Sequence, residues 1–236
     1  MGSQSQVIGT DALRVLQINT NHSVKGNDTM FKTAELVHAN VICVQEPYIV
    51  DGRIPLSGVR GWVQVVSGRA AVLVDIQIGF EQRFANNDVI CLDISGIALI
   101  NVYIAPPADF DFMPYIVVLN TLCNKCNKVI LVGDFNSRII SKYPADERTT
   151  ELDAMFSANK LIILNDGSPT FSRVRMVDGG VTVQESSPDL SLVSPTLLQC
   201  VGSWEVLEQE SASDHLNIFF TVSWKINSSA ASRNFR

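Results

Sequence analysis

The chain has 236 residues, enough for one large domain or two small ones with a core of full size. Hydrophobic residues make up 46% and charged residues 18%, which is typical of a globular protein and excludes a largely disordered one. The formal net charge of −6 argues against a surface that binds nucleic acid everywhere, because such domains are usually basic, but it allows a local basic rim.

The segment between residues 12 and 225 is predicted to be a single domain, because no repeat, linker or block of charge divides it. Residues 1–11 and 226–236 are small and polar, so we predict two disordered tails. The apolar runs are all shorter than the roughly 20 residues of a membrane span, and the first residues do not resemble a signal peptide. We therefore expect a cytosolic or nuclear protein without membrane contact.

Short apolar runs rich in β-branched residues recur between turn residues, and this pattern predicts strands. In chain order they are LRVLQIN (13–19), VICVQE (41–46), GWVQVVS (61–67), AAVLVDI (70–76), VICLDI (89–94), ALINVYIA (98–105), KVILVGDFN (128–136), LIILND (161–166), PDLSLVS (188–194) and LNIFFTVSW (216–224).

Three segments carry a helical stripe of apolar residues, at 28–40, 113–126 and 149–160. Asp28 is the predicted N-cap of the first. Roughly ten strands and three helices that do not alternate strictly favour an α/β fold of two packed sheets with the helices outside.

The cysteines number five, an odd count, and Cys43, Cys91 and Cys200 stand singly in or beside predicted strands. This usage is typical of reduced thiols. Cys123 and Cys126 form a C-x-x-C, for which packing along a helix is favoured over a zinc or redox site, because no second pair lies nearby.

A polar hairpin is predicted over residues 171–186. Arg173 and Arg175 share one face of its first arm, and Asp178, Gly179 and Gly180 provide its turn. Two interpretations remain open, a plain surface hairpin and one that contacts a substrate.

Several apolar strands end in an isolated amide, carboxylate or phenol, and each such residue alone would be read as an ordinary turn residue. Strand ends meet at the rim of a sandwich, so together these groups can form a site. Asp134 and Asn136, two positions apart, are expected to point to the same side of their strand. The set is Asn19, Asn21, Glu46, Tyr103, Asp134, Asn136, Asp189, Asp214 and His215.

The chemistry of this set suits phosphate-ester hydrolysis. Asn19, Asn21 and Glu46 offer the oxygen ligands that Mg²⁺ prefers. His215 can titrate near neutral pH, and Asp189 could fix its tautomer and favour its protonated form. A metal and a protonated imidazole are both able to stabilise charge on a phosphate.

In this order, N…QE…VY…GDFN…PD…SDH resembles the exonuclease–endonuclease–phosphatase superfamily, which includes the apurinic endonucleases and DNase I. The resemblance covers nearly the whole chain, and GDFN and SDH together are its most specific signal. It implies a four-layer α/β sandwich of two packed mixed sheets flanked by helices, and a metal-dependent phosphodiesterase.

For the metal, the resemblance implies Mg²⁺, with Mn²⁺ as an alternative. Glu46 resembles the principal ligand, Asn19 and Asn21 lie beside it, and Asp214 is expected near the cation. Position 21 is Asn where apurinic endonucleases carry Asp, which weakens one ligand. The number of metals stays open.

For the reaction, Asp134 resembles the residue that orients or deprotonates the attacking water, and Asn136 its partner at the phosphate. His215, oriented by Asp189, resembles the group that stabilises charge on the phosphate. Tyr103 resembles a tyrosine that contacts the phosphate or the leaving group. The identity of the general base stays open. Pro107 replaces a common Asn, so one phosphate contact is expected to be missing or supplied elsewhere.

Among substrates, the Arg-bearing hairpin before SSPDLSLV resembles that of endonuclease domains from non-LTR (LINE-type) retrotransposons, particularly insect elements that target ribosomal DNA or telomeric repeats. This implies a nuclear enzyme, made in the cytoplasm, that nicks double-stranded DNA. The 3′-hydroxyl would prime a reverse transcriptase domain of the same polyprotein, of which this chain would be one domain. Arg173 and Arg175 are the expected DNA contacts. The alternatives are a phosphatase of the same fold and a catalytically inactive DNA-binding module.

Overall fold

The computed structural model describes residues 12–56, 58–106, 111–177 and 180–223. The predicted tails at 1–11 and 226–236 lie outside the described residues, as do residues 224–225 of the predicted domain, Pro107, and Asp178 and Gly179 of the predicted turn.

Two six-stranded sheets form the frame of the molecule. The first sheet has the order β13-β14-β1-β2-β4-β3 and the second the order β5-β6-β7-β8-β12-β9, while β10 and β11 form a separate two-stranded hairpin. The strands are β1 (Ala12–Asn19), β2 (Val41–Gln45), β3 (Trp62–Ser67), β4 (Ala70–Asp75), β5 (Glu81–Ala85), β6 (Val89–Ile94), β7 (Ile97–Tyr103), β8 (Val129–Asp134), β9 (Ile162–Ile163), β10 (Phe171–Val177), β11 (Gly180–Ser186), β12 (Asp189–Val193), β13 (Val201–Val206) and β14 (Ile218–Ser223).

Three helices cover the outer faces of the sheets, and a fourth, single-turn helix packs its Leu197 on the core between them. They are α1 (Val24–Leu36), α2 (Met113–Asn124), α3 (Glu147–Ala158) and the single turn α4 (Pro195–Leu198). One apolar core lies between the two sheets, a second packs α2 and α3 on the second sheet, and a third packs α1 on the first sheet. The predicted four-layer α/β sandwich is therefore confirmed. Among the described residues, no helix is long and apolar enough to cross a membrane.

Some predicted boundaries are wrong. The first helix starts at Val24, and its N-cap is Ser23, whose side chain accepts from the Gly26 N–H, so Asp28 lies inside the helix and does not cap it. Two edge strands, β5 and β13, have no counterpart in the prediction, because their polar residues interrupt any apolar run. All five cysteines are free, and Cys123 packs in the second core, as the packing interpretation predicts.

Glycine at position 133 is required by close packing between two parallel strands. A Cβ on Gly133 would lie 2.0 Å from the carbonyl oxygen of Val102 in β7. Because β7 and β8 pair in parallel, their carboxyl ends reach the same edge of the sheet. The residues that follow each of these strands are therefore delivered to one rim.

Candidate active site

Strand register brings three predicted site residues side by side on the second sheet. Tyr103 pairs with Asp134 in the parallel β7–β8 ladder, and Asp134 pairs with Asp189 in the antiparallel β8–β12 ladder. All three side chains are buried. Residues so far apart in sequence become neighbours because each ends or begins its strand at the same edge.

The first sheet contributes Asn19 and Glu46 from the ends of the parallel strands β1 and β2. The Asn19 amide nitrogen donates to Asp134 Oδ2 at 3.0 Å and to Glu46 Oε2 at 3.4 Å. Asn19 thus connects a carboxylate of each sheet. Its Oδ1 accepts the backbone N–H of Asn21 at 2.8 Å and keeps a second lone pair.

His215 lies against both aspartates. Its Nδ1 is 2.9 Å from Asp189 Oδ2, and its Nε2 is 3.8 Å from Asp134 Oδ2. Thr170 donates its hydroxyl to the same Asp189 oxygen at 2.8 Å, and the Phe171 ring packs edge-on against the imidazole. The predicted role of Asp189 in orienting His215 fits this geometry.

Burial and charge shift the pKa values of this group. Burial opposes the charged imidazolium, but the charge and hydrogen bond of Asp189 outweigh it and raise the pKa of His215 to about 9. Burial, assisted by the nearby charge of Asp189, raises the pKa of Asp134 to about 7, against the opposing effect of His215. The imidazole is therefore protonated at neutral pH, while Asp134 can exchange a proton there.

Asn136 reaches the site by a different route from the one expected. Strand β8 ends at Asp134, and Asn136 has a left-handed backbone with φ of 46°, so strand alternation does not orient it. Its N–H donates to Asp134 Oδ1 at 3.0 Å, and its side-chain amide donates to the Ile104 carbonyl at 3.1 Å. Asn136 nevertheless lines the same groove as His215. Glu46 also has a positive φ, 47°, which marks a strained backbone at this rim.

Tyr103 is a hydrogen-bond donor in this arrangement. Burial, together with the hydrogen bond and charge of Glu46, raises the pKa of Tyr103 far above its ordinary value. Its phenol therefore stays protonated and directs its O–H at Glu46, beside the buried Asp134.

Buried polar residues that the sequence analysis did not single out support the rim from beneath. Gln17 donates to the Gly133 carbonyl at 3.1 Å and accepts from the Ser191 hydroxyl at 3.0 Å. Gln45 donates to Asn101 at 2.5 Å. Both links join the two sheets directly behind the site. In the sequence, each of these glutamines is a single polar residue inside an apolar strand. Such a residue can be assigned to a hydrogen bond between the sheets only when its partner on the other sheet is known.

Arg148 lies under the segment that carries Asn136. It is 2% exposed, and its Nη1 donates to the carbonyls of Ala105, Phe135 and Asn136 at 2.7, 3.4 and 3.4 Å. Its Nε and Nη2 have no hydrogen-bond partner among the described residues. Burial lowers the pKa of Arg148. This cation fixes the backbone on both sides of the site and was also missed in the sequence analysis.

Four predicted site residues lie further out. Asn21 is exposed and lines a cavity of about 500 Å³ together with Asp214. Asp214 accepts from Arg173 Nε at 2.6 Å and also from its Nη2, so these two side chains neutralise each other's charge. Arg175 is exposed and lines a groove of about 700 Å³ that runs from His215 and Asn136 along the hairpin.

The carboxylate and amide oxygens at the rim are the kind of hard ligands that a divalent cation such as Mg²⁺ prefers. Ligand atoms of Asp134, Asp189 and His215 all lie within 4.8 Å of one another. The positive charge of protonated His215 already offsets the negative charge of the two aspartates. Glu46 is therefore the better candidate for the first metal ligand. Its side chain is 19% exposed, which leaves room for water ligands, and the ring of His22 lies 3.5 Å from its Oε1. Asp189 Oδ1 is a further buried oxygen without a partner among the described residues.

Comparison with known families identifies the chain. The model of a family described as endonuclease–reverse transcriptase matches residues 97–219, more than half of the sequence. The chain belongs to this family. The predicted superfamily and the predicted enzyme class, a nuclease, are thereby confirmed.

Solved structures share the fold. The endonuclease domain of TRAS1, a telomere-specific non-LTR retrotransposon, has a TM-score of 0.76 and 24% identity, over 89% of this chain and 98% of that domain. An AP endonuclease from Archaeoglobus fulgidus has a TM-score of 0.68 and 17% identity, over 90% of this chain and 100% of that one. A 3′-5′ exonuclease from Neisseria meningitidis has a TM-score of 0.66 and 17% identity, over 90% of this chain and 100% of that one. No curated protein sequence matches at a significant level.

Proposed function

We propose that the chain is a Mg²⁺-dependent DNA endonuclease of a non-LTR retrotransposon. It nicks one strand of target DNA and leaves a 3′-hydroxyl, from which a reverse transcriptase domain of the same polyprotein starts synthesis. The single observation that carries the proposal is the convergence of Glu46, Asn19, Asp134, Asp189 and His215 at one rim of the sandwich. Family membership and the similarity to a retrotransposon endonuclease domain support the substrate.

Each residue has a role that its surroundings permit. Asp134, with a pKa of about 7, accepts a proton from the attacking water, and Asn19 and the Asn136 N–H hold its carboxylate in place. Protonated His215 donates to a phosphate oxygen as negative charge develops there. Asp189 keeps the imidazole in the orientation and charge state that this requires.

Glu46 and Asn19 would hold the Mg²⁺ or Mn²⁺ ion, with Tyr103 donating to Glu46. When bound, such an ion supplies positive charge to the phosphate oxygens and the leaving group. The exposed Arg175 and the groove beside it would contact the duplex backbone. Because the substrate is chromosomal DNA, we propose that the enzyme acts in the nucleus.

Relaxation of supercoiled plasmid by the whole chain tests the proposal. We expect nicked circles in Mg²⁺ and none in EDTA, and loss of nicking in His215→Gln, Asp134→Asn and Glu46→Gln. The matched control is His38→Gln, because His38 is exposed and sits by Arg14 near the start of β1, away from the rim. Phosphate release from a soluble phosphate ester without nicking, or DNA binding without nicking, would contradict it.

A further inference from the structure

The turn between β3 and β4 meets the turn between β5 and β6 next to the candidate active site, so that one turn of each sheet touches the other. The Arg69 N–H donates to the Asn87 carbonyl at 2.6 Å. Gly68 has φ of 60°, and a Cβ there would lie 2.6 Å from the same carbonyl oxygen. The glycine is needed both for its backbone conformation and for this close approach. Arg69 is thereby fixed at the junction of the sheets.

The Arg69 guanidinium is held between a carboxylate and an aromatic ring. Its Nε donates to Asp88 Oδ1 at 2.6 Å, and Tyr115 donates its hydroxyl to the other Asp88 oxygen. The guanidinium carbon lies 5.0 Å from the centre of the Tyr103 ring, within the range of a cation–π contact. The Asp88 carbonyl accepts the Tyr103 N–H at 2.8 Å, so the same pair fixes both the backbone and the ring of Tyr103.

Arg69 also contacts the other half of the site. Its carbonyl accepts the Glu46 N–H at 2.9 Å, at the point where Glu46 has its unfavourable positive φ. The Tyr103 phenol in turn faces the Glu46 carboxylate, whose hydrogen bond and charge help to raise the pKa of Tyr103. One residue thus touches the two that face each other across the rim, Tyr103 from the second sheet and Glu46 from the first.

A surface ion pair by itself would imply no such role, since exposed pairs contribute little. Arg83 provides the comparison, because it pairs with Asp93 at 3.3 Å and Glu81 at 3.1 Å on the outer strand β5. Its side chain is 51% exposed, against 35% for Arg69. Of these two arginines, Arg69 is the one that also contacts candidate site residues, Tyr103 and Glu46.

We propose that Arg69, oriented by Asp88, is a positioning residue for the reaction: it holds the Tyr103 ring, and through the Tyr103 hydroxyl the Glu46 carboxylate, in the geometry that DNA cleavage requires. The inference rests on the proposed nuclease function. Arg69 acts through Tyr103, so its loss lowers the cleavage rate and leaves the affinity for DNA nearly unchanged.

The first test compares Arg69→Met, Arg69→Lys and the control Arg83→Met in single-turnover nicking with Mg²⁺. Duplex affinity is measured separately by fluorescence anisotropy with Ca²⁺ in place of Mg²⁺. We expect Arg69→Met to lower the rate about 10- to 100-fold, with an affinity change below about threefold. Lysine keeps the charge without the planar stacking group, so Arg69→Lys recovers only part of the rate. Arg83→Met stays at the wild-type rate.

A double-mutant cycle with Tyr103→Phe separates positioning from a general loss of structure. If Arg69 acts through the Tyr103 hydroxyl, Arg69→Met lowers the rate less than about threefold in the Tyr103→Phe background. Asp88→Asn provides a second variant, which keeps the arginine and should lower the cleavage rate by less than Arg69→Met does. Thermal unfolding verifies that each variant is folded.

The outcomes decide between the claims. Multiplicative losses in the double variant, an effect confined to DNA affinity, or full activity of Arg69→Met and Asp88→Asn would each overturn the role of Arg69. A wild-type chain that does not nick DNA in Mg²⁺ would instead remove the proposed function on which the role depends.

Discussion

The polar residues of the candidate active site and those of the β10–β11 hairpin are held in opposite ways. Asp134, Asp189 and Asn19 are buried and hydrogen-bonded to one another or to their supports. On the hairpin, one face carries Arg173 and Arg175, and the other face is apolar and open to solvent. The exposed apolar residues are Val174, Met176, Val181 and Val183, each more than half exposed.

This difference separates two tasks. A buried network fixes a few atoms within tenths of an ångström, as bond-breaking chemistry requires. An exposed two-stranded ribbon has few contacts that restrain it and can adapt to a partner. The two regions touch at the hairpin base, where Phe171 packs on His215 and the Ser172 N–H donates to the Asp214 carbonyl at 2.8 Å. We infer that the rim determines whether a bond is cut and the hairpin determines where.

The largest effect is expected from removing a charge at the rim. His215→Gln and Asp134→Asn should each lower the nicking rate about 10³-fold or more, because each loses a proton donor or acceptor next to the phosphate. Nicking rates at saturating DNA measure this loss. An exposed hairpin residue changed in the same manner, Arg175→Gln, should weaken DNA binding and leave the saturated rate within about threefold. Equal effects at the two regions would break the comparison.

Crowding behind the rim should affect stability more than crowding in an open turn. Gly133→Ala is expected to lower the free energy of unfolding by about 3 kcal/mol, because the new Cβ meets the Val102 carbonyl. Gly96→Ala is the control: it has φ of 81° but no atom within 4 Å of its Cβ position, so a loss of about 1 kcal/mol is expected. Denaturant unfolding of both variants measures the difference. Equal losses would show that the close approach to β7 is unimportant.

The pKa of His215 should depend on Asp189. In the absence of divalent ions we expect a pKa of about 9 in the wild type and a lower pKa in Asp189→Asn, where only the charges of Asp134 and Glu46 still oppose the effect of burial. Because the folded-state pKa is raised, the stabilisation is complete below about pH 6.5 and is lost as pH rises towards 9. It amounts to about 3 kcal/mol.

NMR titration of the imidazole, assigned with His215→Gln, gives the pKa directly, and denaturant unfolding between pH 6 and 9.5 gives the free energy. The raised pKa of Asp134 acts in the same direction, so wild-type stability should decline as pH rises. A His215 pKa that is unchanged in Asp189→Asn would contradict the role given to that pair.

The smallest effect on total activity is expected from the hairpin. Replacing residues 174–183 with a two-residue turn should keep the amount of nicking within about threefold and stability within about 1 kcal/mol, because residues 174–176 and 180–183 are exposed. The positions of the nicks on a mapped plasmid should change. An unchanged cleavage map would remove the role of the hairpin in site choice.

Much of the frame was accessible from the sequence, since buried strands such as β2 and β8 are continuous apolar runs. The site residues stood out because each interrupts such a run at its end. Edge strand β5 was not predicted because EQRFA is polar and exposed. The first helix was predicted to begin at Asp28, four residues after its observed start, because its first turn, VKGN, has no apolar stripe.

What the sequence could not provide were the partners. Gln17 and Gln45 are ordinary polar residues until the opposite sheet places Ser191 and Asn101 beside them. Likewise, the roles of Arg69 and Arg148 become visible only from their contacts in the fold. Arg69 contacts the Tyr103 ring, and Arg148 donates to the carbonyls around Asn136. Such contacts depend on how the sheets and the helix α3 pack together, which no local pattern encodes.

Cleavage in ¹⁸O-labelled water tests the central claim most directly, namely that the groups at this rim direct water to a phosphodiester. A synthetic duplex would be cut by the whole chain with Mg²⁺, and the products weighed by mass spectrometry. The account predicts one ¹⁸O in the new 5′-phosphate and a 3′-hydroxyl without label. A 3′-phosphate, or a 5′-phosphate free of label, would contradict it.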